Sequence, residues 1–401
     1  MPATPVALAI LLLCTGHIFS NAARTLPAVA VDVLTRDLGI TAEALAQITG
    51  IFPAAFAAVM IPVGIALDRY GVKRTNLFLL TVAGSGAVMA ALATGPWSMA
   101  LAQAVLGAGC SGMLMCPITF AARALTAPRF AVWSGIIQAT GNTGMLLSAS
   151  PLALLIEAVD WRAGFWACAG IAALAIALVA LLVPSDRPAP APRRGLAHDL
   201  REVGRVALTP GLRGVMVFTF ASFAAVLGVR GLWGGPWLME GKGLDRIAAG
   251  NILLACTVAL TIGPALAGLV LKRFGQAPVL MTLSHLTAAG LIALIVAGDP
   301  IARALGLPAM PVAWDLVLLV LFGAIISFQV LAFSLVRGAV PPEQTGRALS
   351  CSNLSFFFGA AVLQGLSGLV AGWGGNGAAL LTFAVALVIC SLGFWVLRPR
   401  P

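Results

Sequence analysis

The sequence predicts an all-α membrane protein with twelve transmembrane helices in two pseudo-symmetric six-helix bundles. Three observations predict this fold class: the composition, the number of long apolar stretches, and an internal repeat. Of the 401 residues, 60% are hydrophobic and only 9% are charged, and the mean hydropathy is +1.01. Soluble domains carry about 25% charged residues, so lipid must replace much of the polar surface of this chain.

The apolar stretches divide the chain into two sets of six. A helix needs about 20 residues to cross a hydrocarbon core about 30 Å thick. The chain has twelve such stretches, at 6–34, 43–67, 75–94, 98–124, 130–157, 162–183, 212–239, 246–270, 278–297, 313–338, 346–371 and 376–397. A Pro- and Arg-rich segment separates the sixth from the seventh. We therefore expect an N-terminal bundle at 1–184, a cytoplasmic linker at 185–211 and a C-terminal bundle at 212–401.

Positive charge is distributed unequally between the two sets of loops. Of the 24 Lys and Arg residues, two lie within spans and most of the others lie on the side of the termini and the linker. The opposite side has only Arg36, Arg162, Lys242, Arg246 and Arg303. Because positively charged loops stay in the cytoplasm, we expect both termini inside, in a bacterial plasma (inner) membrane. The first stretch lacks a preceding basic segment and a cleavage site, which favours an uncleaved span.

Other function classes lack their residue patterns in this chain. The net charge of +10 follows from topology and not from a basic groove, so we expect no nucleic-acid partner. The seven cysteines lie in apolar runs and form no CxxC pair, as is typical of small buried side chains. We find no nucleotide-binding glycine loop, metal-ligand cluster or nucleophile motif, and we expect no enzymatic activity, cofactor or metal.

An internal repeat relates the two halves of the chain. The segment GIALDRYGVKR, at 64–74, follows the second stretch, and GLVLKRFGQA, at 268–277, follows the eighth. They align at an offset of 204 residues, which pairs Gly64 with Gly268, Arg69 with Arg273, and Gly71 with Gly275. Parallel repeats about an axis normal to the membrane are typical of transporters of this size.

The first copy has the composition of a tight, charged turn between helices. Gly64 allows two helices to approach closely, and Gly71 permits the turn. Asp68 can face the N-terminus of a helix from the other half, where the helix dipole stabilises a carboxylate by about 0.3–1 kcal/mol. Arg123, at the end of the fourth stretch, is a suitable ion-pair partner for this acid. The simpler interpretation is that these charges only mark topology.

This copy resembles the signature loop between the second and third helices of the major facilitator superfamily. The pattern is glycine, three residues, Asp-Arg, one residue, glycine and basic residues, here Gly64, Asp68, Arg69, Gly71, Lys73 and Arg74. The segment DWRAGFW, at 160–166, is also similar to the family. The resemblance implies secondary transport by alternating access, with these six residues and Arg123 latching the cytoplasmic face in the outward-open state. Lys272 replaces the acid in the second copy, so we expect a one-sided latch.

Two arginines lie within spans, Arg24 in the first and Arg230 in the seventh. They are 206 residues apart, close to the repeat offset, and each lies about 6–8 Å from the middle of its span. An arginine near the bilayer centre costs about 2.5–3.5 kcal/mol, and no carboxylate is well placed within a span to neutralise either one. The pair therefore predicts an anionic guest, since guanidinium binds oxyanions bidentately. Snorkelling toward the interface is the alternative.

Further candidates share a helix face or a predicted cavity with these arginines. His17, Asn21 and Arg24 have the i, i+4, i+7 spacing of one helical stripe. His17 is either an interior hydrogen-bonding residue or a group that donates to the anion or carries a proton. The segment GLWGGPW, at 231–237, predicts a broken or bendable helix, with Trp233 on an aromatic stripe that either packs or lines the site. Polar residues of other spans either complete the substrate site or join helices: Gln138, Asn142 and Gln329.

These observations favour a secondary transporter that moves a small organic or inorganic anion by a rocker-switch mechanism. We expect a monomer in the lipid bilayer that works by anion exchange or by His17-assisted proton symport. The alternatives are efflux of hydrophobic drug-like compounds and a substrate-sensing receptor on a transporter fold. Two departures from the family argue against drug–proton antiport. Gln103 stands where some proton-coupled relatives have arginine, and the fifth stretch lacks the Gly-Pro-rich motif of the antiporters.

Overall fold

The fold is helical along the whole of the described chain. A computed structural model describes residues 5–40, 42–149, 155, 158–185, 201 and 204–398, and no strand occurs among them. Nine helical stretches of this part are long and apolar enough to cross a membrane. Of the predicted linker, residues 186–200, 202 and 203 lie outside the described residues.

Six helices precede the linker. They are α1 (Val6–Val29), α2 (Ala42–Tyr70), α3 (Val72–Ala91), α4 (Pro96–Ala124), α5 (Ala127–Ala149) and α6 (Trp161–Leu182). A short helix at Val31–Leu38 follows α1. Gly71 separates α2 from α3 with φ of 83°, a left-handed conformation in which glycine is strongly favoured.

Six more helices follow the linker. They are α7 (Pro210–Gly241), α8 (Arg246–Phe274), α9 (Ala277–Ala304), α10 (Val312–Ala339), α11 (345–374) and α12 (376–397). The last two form one long helical stretch that is interrupted at Gly375, where φ is 68° and ψ is −169°. Every predicted apolar stretch thus contains a helix in the described part of the chain, which is consistent with twelve transmembrane helices.

The chain forms two compact units that do not follow sequence order strictly. The first unit comprises the described residues of Met1–Thr126, Thr140–Gly204 and Val340–Cys351. The second comprises those of Ala127–Ala139, Arg205–Ala339 and Ser352–Pro401. The start of α5 therefore packs with the second unit, and the start of α11 packs with the first. The division into bundles at 1–184 and 212–401 stays a prediction.

Glycines of the repeated segment allow these close packings. A Cβ atom on Gly64 would lie 2.8 Å from the Ser350 side chain, and one on Gly268 would lie 2.6 Å from the Ala131 carbonyl oxygen. Equivalent positions of the two copies thus meet the first turns of α11 and α5 in the same way. Each contact lies inside one unit, and a larger residue at either position would separate the two helices.

Candidate functional site

Arg24 is held by α5 within the first unit. The side-chain nitrogen Nδ2 of Asn21 donates to the backbone carbonyl oxygen of Gly141 at 2.9 Å. The side-chain oxygen Oδ1 of Asn21 accepts from Arg24 Nη2 at 2.8 Å. Arg24 Nη2 also lies 3.9 Å from Met145 Sδ. Asn21 is almost fully buried, whereas Arg24 is only partly buried. The predicted stripe therefore lies on the face of α1 that packs against α5.

Two glycines of α5 seat this stripe. A methyl group on Gly141 would overlap the His17 ring, and one on Gly144 would overlap the backbone at Ile18. His17 is buried, and no hydrogen-bonding group of the described residues reaches its Nε2. Both glycines belong to the sequence segment GNTG, and the absence of a side chain at each lets α1 approach α5 closely.

Arg230 is held by α8 within the second unit. Its Nε donates to Thr257 Oγ1 at 2.9 Å, and Thr257 Oγ1 donates to the Leu253 carbonyl oxygen at 2.7 Å. Within the described part of the chain no carboxylate forms an ion pair with Arg230, and neither terminal nitrogen makes a hydrogen bond. The residue as a whole is partly exposed. No feature of the sequence marks Thr257 as a site residue.

The segment around Arg230 is wound as π-helix. Residues Leu227–Trp233 and Trp237–Gly241 are π-helical, and one short α-helical segment, Gly234–Pro236, separates them. The expected break at GLWGGPW is therefore a change of helix type. π-Helical turns inside α-helices occur frequently at functional sites.

The tryptophans of this segment bond to neighbouring helices. Trp233 Nε1 donates to Ser367 Oγ at 2.9 Å, and Trp237 Nε1 donates to Asp315 Oδ1 at 2.8 Å. Asp315 is fully buried, and its Oδ2 lies 3.4 Å from Lys242 Nζ. These bonds hold the C-terminal end of α7 against α10 and α11.

The remaining candidates are divided between the two units. Asn142 is buried in the first unit, whereas Gln138, one turn earlier on α5, belongs to the second. Gln329 lies on a 3-10 turn, Ser327–Leu331, in α10, and its buried Oε1 has no hydrogen-bond partner among the described residues. His17, Asn21, Arg24 and Asn142 thus form one set, and Gln138, Arg230, Trp233 and Gln329 belong to the other unit.

The Asp68 carboxylate is the centre of the repeated loop. It accepts from Arg123 Nη2 at 2.8 Å and from the backbone nitrogens of Gly346 and Arg347 at 2.9 and 3.0 Å. The side chain is only 4% exposed. Gly346 and Arg347 lie in the first turn of α11, where backbone N–H groups have no partner inside the helix. The carboxylate therefore caps this helix and binds Arg123 at the same time.

The other residues of the loop have separate environments. Lys73 Nζ donates to the carbonyl oxygens of Ala180 and Val183 at 2.8 and 2.7 Å, which caps the end of α6. Arg69 is partly buried and Arg74 is exposed. In the second copy, Lys272 is exposed and cannot replace the capping carboxylate.

Comparison with known proteins places this architecture among transporters. The model of the Major Facilitator Superfamily matches residues 13–328, more than half of the chain. The chain is similar to the tetracenomycin C resistance and export protein of Streptomyces glaucescens, with 26% identity over 324 residues. That alignment covers 67% of this chain and 59% of the relative, so the chain spans about three fifths of the length of this relative.

Solved structures share the fold at low sequence identity. A proton:xylose symporter matches with a TM-score of 0.77 and 16% identity, covering 98% of this chain and 96% of its own. The E. coli fucose:proton symporter matches with a TM-score of 0.75 and 17% identity over 99% of both chains. The human organic anion transporter MFSD10 matches with a TM-score of 0.73 and 15% identity over 98% of both chains.

Proposed function

This chain belongs to the major facilitator superfamily and is an integral membrane transporter, and from that premise we propose that it moves a small organic or inorganic anion by rocker-switch alternating access. We further propose that it works as a monomer in the bacterial inner membrane, with both termini in the cytoplasm. The family and fold define the class of protein, and the charged groups inside the helices support the charge of the substrate.

The environment of Arg230 is the observation that supports this proposal most strongly. Its guanidinium has one neutral partner, the Thr257 hydroxyl, and two terminal nitrogens without a hydrogen bond in the described part of the chain. A charge at this depth costs about 2.5–3.5 kcal/mol. Two terminal nitrogens of one planar group match the spacing of two oxygens in a carboxylate, phosphate or nitrate. An anion would therefore supply both the missing bonds and the missing charge.

Arg24 supports the same proposal from the first unit. It lies within two residues of the equivalent place in the repeat, and the bond from Nη2 to Asn21 orients it. Two arginines at similar depth in corresponding helices of a repeat are unexpected if each only reaches toward the interface. We propose that Arg24 and Arg230 each contribute to binding of the anion.

The test uses purified protein in proteoliposomes and in a thermal-melting assay. The probes are oxalate, nitrate and glycerol 3-phosphate. Ligand that binds the folded state at 100 times its Kd stabilises it by about 2.7 kcal/mol. We expect at least one probe to raise the melting temperature and to be taken up. Arg230→Ala and Arg24→Ala should each weaken binding about 10- to 100-fold, since charge-assisted hydrogen bonds contribute about 1.5–3 kcal/mol.

The control variant is Arg129→Ala, because Arg129 is an exposed arginine at the start of α5. It should bind and transport the probes like the unmodified protein. If both span arginines can be replaced without changing anion binding or uptake, the proposal is wrong.

The second candidate function is export of hydrophobic drug-like compounds. Similarity to the tetracenomycin C resistance and export protein favours it. Tetraphenylphosphonium and ethidium separate the two candidates. An exporter of this type should bind these lipophilic cations and should not respond to oxalate, nitrate or glycerol 3-phosphate. An anion transporter should show the opposite pattern.

A further inference from the structure

The Thr257 hydroxyl has only one orientation that satisfies its two neighbours. The hydroxyl has a single hydrogen, and the Leu253 carbonyl oxygen at 2.7 Å can only accept a hydrogen bond. The hydrogen must therefore point at Leu253. A lone pair of the same oxygen then accepts from Arg230 Nε at 2.9 Å. Thr257 is almost fully buried, so no water competes for either bond.

This bond determines which edge of the guanidinium is available. The group is planar and its five N–H donors have fixed directions. With Nε held by Thr257, the edge formed by the two terminal nitrogens is left to a ligand. The uncharged threonine thus holds Arg230 in place and leaves its positive charge intact.

Asn21 holds Arg24 by the same principle in the first unit. Its amide nitrogen is committed to the Gly141 carbonyl oxygen at 2.9 Å, so its carbonyl oxygen faces Arg24 Nη2 at 2.8 Å. The Asn21 amide, like the Thr257 hydroxyl, is an uncharged acceptor that also donates to a backbone carbonyl oxygen. In both units, therefore, an arginine within a span has a neutral side chain as an orienting partner.

Two other buried or partly buried basic side chains bond to carboxylates instead. Arg123 pairs with Asp68 at 2.8 Å, and Lys242 pairs with Asp299 at 2.7 Å and with Asp315 at 3.4 Å. Arg230 differs from these two, because its side-chain partner Thr257 is uncharged.

We propose that Thr257 is a positioning residue that determines the charge selectivity of the transporter by orienting Arg230 without neutralising it, and that Asn21 is a positioning residue for Arg24. This inference rests on the proposed function. It predicts that a carboxylate at position 257 would neutralise Arg230 and so prevent the anion from binding. Removal of the Thr257 hydroxyl, which accepts from Arg230 Nε, would only let the Arg230 side chain move more freely.

A substitution series at position 257 tests the proposal. Thr257→Val has the same shape and lacks the acceptor, so KM for the anion should rise about 5- to 10-fold while kcat stays unchanged. Thr257→Ser retains the acceptor and should behave like the unmodified protein. Thr257→Asp should reduce binding of oxalate, nitrate and glycerol 3-phosphate more than 100-fold. Tetraphenylphosphonium binding should not weaken in that variant.

The matched control is Thr261, one turn further along α8. Its hydroxyl donates to the Thr257 carbonyl oxygen at 2.8 Å and does not contact an arginine in the described part of the chain. Thr261→Val should therefore leave KM unchanged. Equal effects of Thr257→Val and Thr261→Val would overturn the proposal, as would anion binding by Thr257→Asp within twofold of the unmodified protein.

A second position keeps the inference testable if Thr257→Asp does not fold, which size-exclusion chromatography and melting detect. Asn21→Asp places the carboxylate beside Arg24 and should abolish anion binding, whereas retained binding would contradict the proposal. Different results contradict this inference and the proposed function. If Arg230→Ala abolishes binding and the Thr257 series does not alter it, the proposed function stands and this inference is wrong. If no probe binds the unmodified protein, both are wrong.

Discussion

At the scale of single residues, the chain places charge inside helices in two different ways. Asp68 and Arg123 neutralise each other, and the carboxylate also accepts from two backbone nitrogens. Arg230, by contrast, has a neutral partner. Buried ion pairs contribute little net free energy but are strongly destabilising when one member is removed. The two arrangements therefore predict different consequences of mutation, with effects on conformation at Asp68 and on binding at Arg230.

Replacement of Asp68 by asparagine should slow transport. Asp68→Asn keeps one acceptor but loses the charge that faces Arg123 and the first turn of α11, which weakens this contact by about 1–3 kcal/mol. We expect the maximal uptake rate to fall at least tenfold in proteoliposomes while anion binding persists. Glu343→Gln, an exposed acid just before α11, should have no effect. An unchanged rate in Asp68→Asn would indicate that the loop only marks topology.

Lys242 should be important for stability. Its side chain is 6% exposed and it lies between two acids, Asp299 and the fully buried Asp315. Lys242→Met leaves those carboxylates without their cation, which should destabilise the fold by about 3–5 kcal/mol. Thermal melting in detergent measures the loss. Lys272→Met, at an exposed lysine, should melt near the unmodified protein, and similar melting of both variants would show that the cluster does not stabilise the fold.

At the scale of elements, close helix packing depends on a few glycines. Their positions could be read from the sequence, but which helix each one faces could not, because that depends on the packing of whole helices. GNTG of α5 illustrates this: Gly141 lies against the His17 ring and Gly144 against the backbone at Ile18. The π-helical segments of α7 could not be read from the sequence either, which shows only a glycine- and proline-rich segment there.

Gly141→Ala should displace α1 from α5. The added methyl group overlaps the His17 ring, and such overpacking typically costs about 1–3 kcal/mol. Because Asn21 bonds to the Gly141 carbonyl oxygen, the variant should also weaken anion binding through Arg24. Gly170→Ala, in α6, is the matched control, since nothing lies within 4 Å of its added carbon. It should melt at the same temperature or higher, because alanine favours helix; equal melting of both variants would refute the packing argument.

At the scale of the whole molecule, composition and repeat predicted the architecture well. Twelve apolar stretches and a 204-residue offset predicted the class of membrane protein, and the family match and the described helices confirm that class. The candidate site was predicted only in part. Arg24 and Arg230 stand out in the sequence because charge is rare in a span. Thr257 does not, since threonine is common in membrane helices and only the packing of α7 on α8 gives it a role.

The orientation of the chain stays a prediction, and thiol labelling tests it. All seven native cysteines are buried, so background labelling should be low. A membrane-impermeant maleimide should label Trp97→Cys, at a strongly exposed position of a predicted outer loop, in intact cells. Arg74→Cys should be labelled only after the membrane is permeabilised. The reverse result would place the termini outside.

The exchange of helix starts between the units has a consequence for biosynthesis. The segment Val340–Cys351 belongs to the first unit, although most of that unit precedes residue 205. The ribosome therefore inserts nearly all of the first unit long before it synthesises the N–H groups that Asp68 accepts from. Until then, Arg123 is the only one of these partners that can bind the Asp68 carboxylate. Two co-expressed fragments separated at the linker would each lack a piece of the unit they mainly form.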